Sequence, residues 1–362
     1  ITVVDVNDKQ ANQNIDKAIA EIVRIEMLIS DWKPDSQVSQ INSNAGKFPV
    51  KVDQEVIDLT QRAIKYSKLT DGVFDISFAA MDKIWKFDGS MDELPTNDEI
   101  KKAIQNIGYQ NIKIDTLNQT IFLTKTGMKI GFGSIGKGYA ADKAIHLLQN
   151  LNAKAAIVNA AGDLATFGLQ QNKKPWRIGI ANPFKPNKMA DILELSQAAV
   201  TTSGDYQKYI FIGKTRYSHI INPKTGWPAT GLTGVTIIGP NAETANFFST
   251  SMMVLGAKNG KALLKKYPNY AGLFITDRGK IIKTKNYKKV KNQCKNNLGI
   301  PRLLVGASGF RESQFFLFVS KCAPTIAQSL MQKQKSSKTN KVFELFCFYS
   351  PFPFVVKTAV IN

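Results

Sequence analysis

Cysteine is almost missing from this chain. The 362 residues hold three, Cys294, Cys322 and Cys347, and residues 1–292 contain none. That excludes a disulfide framework or a thiolate metal centre from the body of the protein. A cysteine-free body suits an oxidising compartment as well as a reducing one. Histidine is scarcer still, with only His146 and His219, so no centre built on paired imidazoles is available. No run of about 18 uninterrupted apolar residues occurs, which excludes a membrane-spanning helix. The most apolar late stretch, FELFCFYSPFPFVV (343–356), is short and broken by Pro351 and Pro353. The chain opens on ITVVDV, with neither an initiator Met nor a basic-then-apolar leader. Its alternation predicts a start inside a strand, with any export signal already removed.

What is present is enough apolar material, 43% of the chain, for one large or two ordinary domains with a substantial core. Basic residues outnumber acidic ones by 20, a balance that raises nucleic acid as a partner until its distribution is read. From Arg278 to Asn292 there are seven Lys and Arg and no acid, and from Gln293 onward nine against two. The first 277 residues therefore carry only +6 of the excess. A basic end is accounted for by solubility and nonspecific attraction, and no specific nucleic-acid partner is expected.

Ile15, Ile19, Ile22, Ile25 and Ile29 recur at helical spacing and predict a helix over about 11–30. A second is expected over 54–69 behind Asp53. A third opens on a Thr96/Glu99 capping box and ends before Gly108. NIKIDTLNQTIFLT (111–124) reads as two strands around a polar turn. Further strands are expected at 155–159, 176–181, 209–212, 217–221, 233–238 and 271–276, and helices at 138–151, 243–256 and 259–266. Hairpins mixed with separate helices indicate an α+β fold rather than regular βαβ alternation. After about residue 293 the periodicity dissolves into a basic, Phe/Ser/Lys-rich stretch that includes QKQKSSKTNK (332–341). Residues 293–362 are expected to be appended and dispensable, beyond a body of 1–292.

Four segments carry candidate chemistry. GFGSIGKGYAAD (131–142) contains a G-x-G-x-x-G at Gly131, Gly133 and Gly136. After a short strand and before a helix, it would let backbone N–H groups approach a pyrophosphate. Tight helix packing explains such glycines as well, but Lys137 within the turn suits a phosphate. As a dinucleotide fingerprint the motif is weak, because the next strand, AAIVNA, offers Asn159 where a ribose-binding acid belongs. VNAAGDL (158–164) runs into a turn ending at Asp163, a residue common in turns for its own sake. TTSGDYQKY (201–209) supplies hydroxyls. RYSHIINPKTGWP (216–228) holds His219 at a predicted strand end beside the turn formers Asn222, Pro223 and Gly226. A lone His is more often structural than catalytic, and this punctuation moves it toward a cleft. His146, in mid-helix, reads as structural.

In this order, and with ISDWKPDSQVSQIN (29–42), TDGVFDIS (70–77) and ETANFFSTSMMVLG (243–256), these segments resemble the ApbE family of FAD:protein FMN transferases over about residues 1–290. The family's Met-Gly-Thr motif is absent, as expected if the chain begins just after it. The resemblance implies an ApbE-like, T-fold-related α+β architecture of antiparallel sheets packed with helices. It implies FAD as substrate, Mg²⁺, and transfer of FMN to a threonine hydroxyl of an acceptor protein with release of AMP. Trp32 would stack on the isoalloxazine, although by itself it reads as core. Asn42 would contact FAD, although an Asn there is commonly a cap. Asp75 falls in a matching stretch and is assigned to FAD binding. Lys137, Gly162, Asp163, Thr202 and Ser203 would line the pyrophosphate and ribityl region, and His219 would accept the threonine proton. The metal ligands would be the Gly136 carbonyl, Asn246 and Thr250. The family also implies a periplasmic or cell-envelope location. Two departures bear on the site: Ala161 replaces the first glycine of Gly-Gly-Asp, and Asn246 replaces an Asp. A flavin-binding protein or FAD pyrophosphatase without transfer, and a Rossmann-type oxidoreductase, remain as alternatives.

Overall fold

Small and β-branched residues build the central strands, as in AAIVNA, QAAVTTSG and LTGVTIIG. The computed structural model describes residues 1–296 apart from Asp82, Pro186, Tyr206 and Gln207. The predicted tail thus lies outside the described residues except for its first four positions. In chain order the first half comprises β1 (Thr2–Val4), α1 (Asp8–Ile29), α2 (Gln37–Ser43), β2 (Val50–Lys51), α3 (Gln54–Leu69), α4 (Asn97–Ile104), β3 (Ile112–Asp115), β4 (Thr120–Leu123) and α5 (Gly136–Asn150). Then come β5 (Ala155–Ala160), β6 (Asp163–Phe167), β7 (Trp176–Ala181), β8 (Met189–Leu195), β9 (Gln197–Gly204), β10 (Tyr209–Ile212) and β11 (Thr215–Ser218). The chain continues through β12 (Leu232–Gly239), α6 (Ala242–Leu264), β13 (Ala271–Thr276), β14 (Ile281–Lys283) and α7 (Tyr287–Asn296).

Seven strands form one sheet in the order β1-β5-β6-β9-β12-β13-β14, every neighbour antiparallel. In β5, Ala156 and Val158 face α1 and α5, while Ala155 and Ile157 face the β7–β8 hairpin and α7. Two cores therefore share one sheet, as period-two side-chain placement requires. Antiparallel pairing of β5 with β6 removes the Rossmann alternative, which needs a parallel βαβ crossover. A third cluster joins α3, the β2-β4-β3 sheet and α6. A fourth sets Trp85, Ile100 and Trp227 against Ile210 of the β10–β11 hairpin.

The Thr96/Glu99 capping box is present on α4. Asp53 occupies the N-cap of α3 without a side-chain cap bond; instead its N–H donates to Gln37 Oε1 at 2.8 Å. The two predicted late helices are one element broken at Gly256, whose φ of 75° no helix interior accommodates. Five strands lacked a sequence signal: β2 and β14 are only two and three residues long, β6 is buried throughout, β9 is built from Gln, Ala, Val, Thr, Ser and Gly, and β8 carries two acids. The expected body–tail boundary at 292 falls inside α7, where Cys294 is buried and its carbonyl accepts from Ser196 N at 2.9 Å and Ser196 Oγ at 3.1 Å. No helix among the described residues is long and apolar enough to cross a membrane.

Candidate active site

Strand ends, one glycine loop and the first turns of two helices enclose a cleft of ≈ 630 Å³, within the range of small-molecule and cofactor sites. Its apolar lining includes Val73, Phe74, Phe78, Ile178 and Ile180, and its polar lining includes Lys137, Thr202, Ser203, His219, Asn246 and Thr250.

Two close approaches bring part of the polar lining together. Gly138, in the first turn of α5, lies against the start of α6: a Cβ there would sit 2.3 Å from the Ala242 carbonyl oxygen. Asp142, one turn on, accepts from the N–H groups of Ala242 and Glu243, each at 2.8 Å, and so caps α6. Burial, opposed by those two bonds, pushes the Asp142 carboxyl up to about 6. The pairing brings Lys137 and Asn246 to one place although 109 positions separate them in the chain.

The three glycines of the G-x-G-x-x-G divide their tasks. Cβ atoms at Gly131 and Gly136 would meet Asp31 Oδ2 and Ile29 Cδ1, each at 2.9 Å, so these two are packing glycines. Gly133 has nothing within 4 Å of its ideal Cβ and faces the cleft. Opposite it, the β5–β6 turn places Ala161 and Gly162 at φ of 52° and 97°, the doubly positive pair a two-residue I′ hairpin requires. Ala161 thus carries left-handed strain of about 1–2 kcal/mol that glycine would not. Asn159 Oδ1 steadies the turn by accepting from Gly162 N at 2.8 Å.

Asp163 follows that turn. It is wholly buried, its Oδ2 lies 3.2 Å from Lys137 Nζ, and its Oδ1 has no hydrogen-bond partner. Burial pushes its carboxyl up, and Lys137 pulls it part of the way back. With its amide nitrogen turned toward them, Asn246 donates to Asp163 Oδ2 at 3.2 Å and to the Ser134 carbonyl at 3.0 Å. Ser203 Oγ bridges Ser249 Oγ at 2.8 Å and Thr250 Oγ1 at 3.2 Å, and Thr202 pairs with Thr236 at 2.9 Å. His219 stands where the β10–β11 hairpin ends, with Nδ1 2.9 Å from the Lys208 carbonyl. A carbonyl only accepts, so Nδ1 carries the proton and Nε2 keeps its lone pair. Burial lowers its pKa, keeping the ring neutral. The hairpin is held in place by Arg216, which donates from Nη1 and Nη2 to the Asp205 carboxylate at 2.7 and 3.0 Å.

Of the residues singled out from sequence, Asp75, Lys137, Gly162, Thr202, Ser203, His219, Asn246 and Thr250 line the cleft, and Asp163 lies immediately behind it. Asp75 spends its carboxylate on Ser77 N, Ser77 Oγ and Tyr109 N, so its observed work is to cap the turn Ile76–Ala80 and anchor the Tyr109 segment. The remaining three stand as follows. Trp32 is 74% exposed with Lys83 over its ring and is not among the residues lining the cleft. Asn42 has both ends of its amide engaged by the Ile130 backbone, at 2.9 and 2.8 Å, and so fixes the approach to the glycine loop. Gly136 is buried under Ile29, and the carbonyl beside Asn246 is that of Ser134. Ser134, Asp142, Lys208 and Arg216 were not singled out; each acts through a backbone atom or a distant partner, which leaves no local signal. Among the described residues no three His, Cys, Asp or Glu side chains converge on a metal position.

This sheet, its flanking helices and this cleft are the architecture of a flavin transferase. The chain belongs to the ApbE family, whose profile matches residues 1–274. It is similar to the ApbE protein of Thermotoga maritima, with a TM-score of 0.70 and 32% identity over 78% of this chain and 92% of that one. The flavin transferase ApbE of Vibrio cholerae aligns with a TM-score of 0.68 at 26% identity, covering 79% and 91%. An FAD:protein FMN transferase of Treponema pallidum is 29% identical over 291 residues, 75% of this chain and 80% of the relative.

Proposed function

We propose that the chain transfers FMN from FAD to a threonine hydroxyl of an acceptor protein, with Mg²⁺, and releases AMP. The observation that carries the reading is the meeting of an ammonium, an open glycine loop and a neutral imidazole in one cleft. In the reaction the threonine oxygen attacks the FMN-side phosphorus. A P–O bond forms as the pyrophosphate P–O bond breaks, AMP leaves, and the threonine proton passes to His219 Nε2. The Nδ1–Lys208 bond supports this role, since it fixes the tautomer and directs Nε2 away from the hairpin. Lys137 would neutralise charge on the transferred phosphoryl group, and Gly133 and Gly162 would let backbone approach it. Phe74, Phe78, Ile178 and Ile180 offer the flavin an apolar wall.

The donor set fits a hard divalent cation. Asn246, Thr250 and the Ser134 carbonyl offer neutral oxygens, and the unpartnered Asp163 Oδ1 offers charge. When bound, the ion would supply charge neutralisation at the pyrophosphate oxygens. Incubation with FAD, Mg²⁺ and a threonine-containing acceptor, read by mass spectrometry, tests the reading. An FMN adduct on the acceptor together with AMP is expected. FMN and AMP without an adduct would make the chain an FAD pyrophosphatase, and a folded protein that does not bind FAD in a fluorescence titration would end both readings.

A further inference from the structure

Between Arg278 and Asn292 the chain carries seven Lys and Arg and no acid, and none of them lines the cleft. The fold sets the start of this run against a second basic turn. Gly279, at φ 75° between β13 and β14, lies under the Phe184 ring of the β7–β8 loop: a Cβ there would sit 3.3 Å from the ring. Phe184 is nevertheless 46% exposed. Lys185 and Lys188 follow it on one turn, and Arg278 and Lys280 flank Gly279 on the other, all four exposed. Ile281, 37% exposed, pairs with Ile275 and so shares the sheet face that packs on the β7–β8 hairpin and α7. We propose that these two hairpin ends dock the protein on the headgroup surface of an anionic bilayer, with Phe184 and Ile281 entering the interface and the four cations meeting lipid phosphates.

Charge decides the kind of partner. The nearby acids of β8 are engaged elsewhere: Asp191 takes Lys283 at 2.6 Å and Lys291 at 2.7 Å, and Glu194 takes Lys295 at 2.7 Å. Those pairs tie β14 and α7 to β8 and leave the turn cations to solvent. Asp277 is the one acid in the two turns, so four positive charges against one face outward. Lys and Arg keep their heads at phosphate depth while their stems lie along apolar groups. Each adds about fivefold to the affinity for an anionic membrane surface. Exposed apolar side chains set among such cations are the composition of an interfacial contact. The arrangement favours a bilayer over a nucleic-acid strand. Single strands are held by a basic groove with aromatic rings open for stacking. Here the cations stand at the ends of two hairpins, and the Phe184 ring is covered on one side by Gly279. Ala181, where β7 ends, still lines the cleft, so the docked turn carries the cleft rim toward the headgroups.

Docking of this kind is independent of the transfer reaction, and its test uses no flavin. The full chain is cosedimented with vesicles of phosphatidylcholine alone and of phosphatidylcholine mixed equally with phosphatidylglycerol. Binding should be strong on the mixed vesicles, weak on phosphatidylcholine, and lost as salt shortens the screening length. The combined variant Lys185→Glu, Arg278→Glu and Lys280→Glu should bind at least about a hundredfold more weakly, the product of three contributions of about fivefold. Phe184→Ser should lose about tenfold with no change in net charge, the scale of withdrawing one partly inserted apolar side chain. All four positions are exposed, so parent-like melting of both variants is the folding control. On the parent itself, hydrogen exchange in the segments around Phe184 and Gly279 should slow when mixed vesicles are added. Binding that the triple reversal leaves unchanged would shift the contact to other basic residues, those beyond Asn296 included, and overturn the docking surface. No binding to mixed vesicles at low salt would overturn it as well. Equal binding of Phe184→Ser and parent would reduce the contact to the attraction of any polyanion and overturn the insertion.

Discussion

Adding one methyl group at Gly138 and one at Gly133 should have opposite consequences. At Gly138 the new Cβ would lie 2.3 Å from Ala242 O, 2.6 Å from Ala242 C and 2.9 Å from Glu243 N. All three are backbone atoms of the α6 start, which Asp142 pins from the same helix, so none can swing aside. Reaching even 3.0 Å from the carbonyl oxygen requires α5 and α6 to part by about 0.7 Å. Overpacking of this kind costs about 1–3 kcal/mol, here toward the upper end. The better helix propensity of Ala returns at most about 1 kcal/mol. The net loss of about 2 kcal/mol corresponds to a fall in Tm of about 4–8 °C. At Gly133 the Cβ meets nothing within 4 Å, and the smaller unfolded-state entropy of Ala contributes about 0.4–1 kcal/mol of stability. The same methyl would project where the pyrophosphate must approach. Gly133→Ala should therefore melt at or slightly above the parent temperature and bind FAD at least tenfold more weakly. Calorimetry and flavin fluorescence on the two variants provide the assay. Parent-like melting of Gly138→Ala would refute the packing argument, and parent-like FAD affinity of Gly133→Ala would refute the role of the open glycine.

His219→Ala should retain FAD binding while transfer falls by about two to four orders of magnitude. Because burial lowers the imidazole pKa, the base stays neutral into mild acid, and the acid limb of kcat/KM should lie below pH 6.5; a limb above that value would point to another group. Asn246→Asp should strengthen Mg²⁺ binding without nucleotide and weaken its cooperativity with ADP, compared by calorimetric titration in both conditions. Burial raises the Asp142 carboxyl in the folded state to about 6 from its ordinary 3.8. Its contribution therefore favours the folded state at low pH and is lost as pH rises through that interval. The bound is about 3 kcal/mol, reduced by the part of the side chain that solvent reaches. Asp142→Asn should flatten this slope in urea titrations between about pH 4 and 6; an unchanged slope would assign it to other groups. Truncation after Asn296 should leave FAD affinity unchanged, whereas truncation after Asn292 removes Cys294 and the acceptor of Ser196 and should lower Tm by several degrees.

Much of the local architecture was legible without coordinates. The isoleucine spacing of α1, the capping box of α4 and the hairpin of β3 and β4 each depend on residues close in sequence. Their backbone preferences and buried faces repeat with the period of the element. The break at Gly256 was readable for the same reason. The weaker strands β6 and β9 were not, since small residues form strands only when a sheet on both sides supplies the partners.

The candidate site divides along the same line. Sequence by itself brought out the glycine loop, Lys137, Asp163 and His219, because turn chemistry and rare residue types mark them. Which glycine is open to a ligand was decided by what approaches it from elsewhere: Asp31 beside Gly131, Ile29 beside Gly136, and nothing beside Gly133. The same holds for Trp32, whose ring faces solvent, and for Asn42, whose amide is taken by Ile130. The backbone carbonyl beside Asn246 is that of Ser134, two positions before α5 begins. Asp163 and Asn246 are 83 positions apart and meet only because α5 and α6 cross at a residue without a side chain. A one-dimensional pattern records the preferences of each segment, and the close approach of two backbones at Gly138 belongs to neither segment alone.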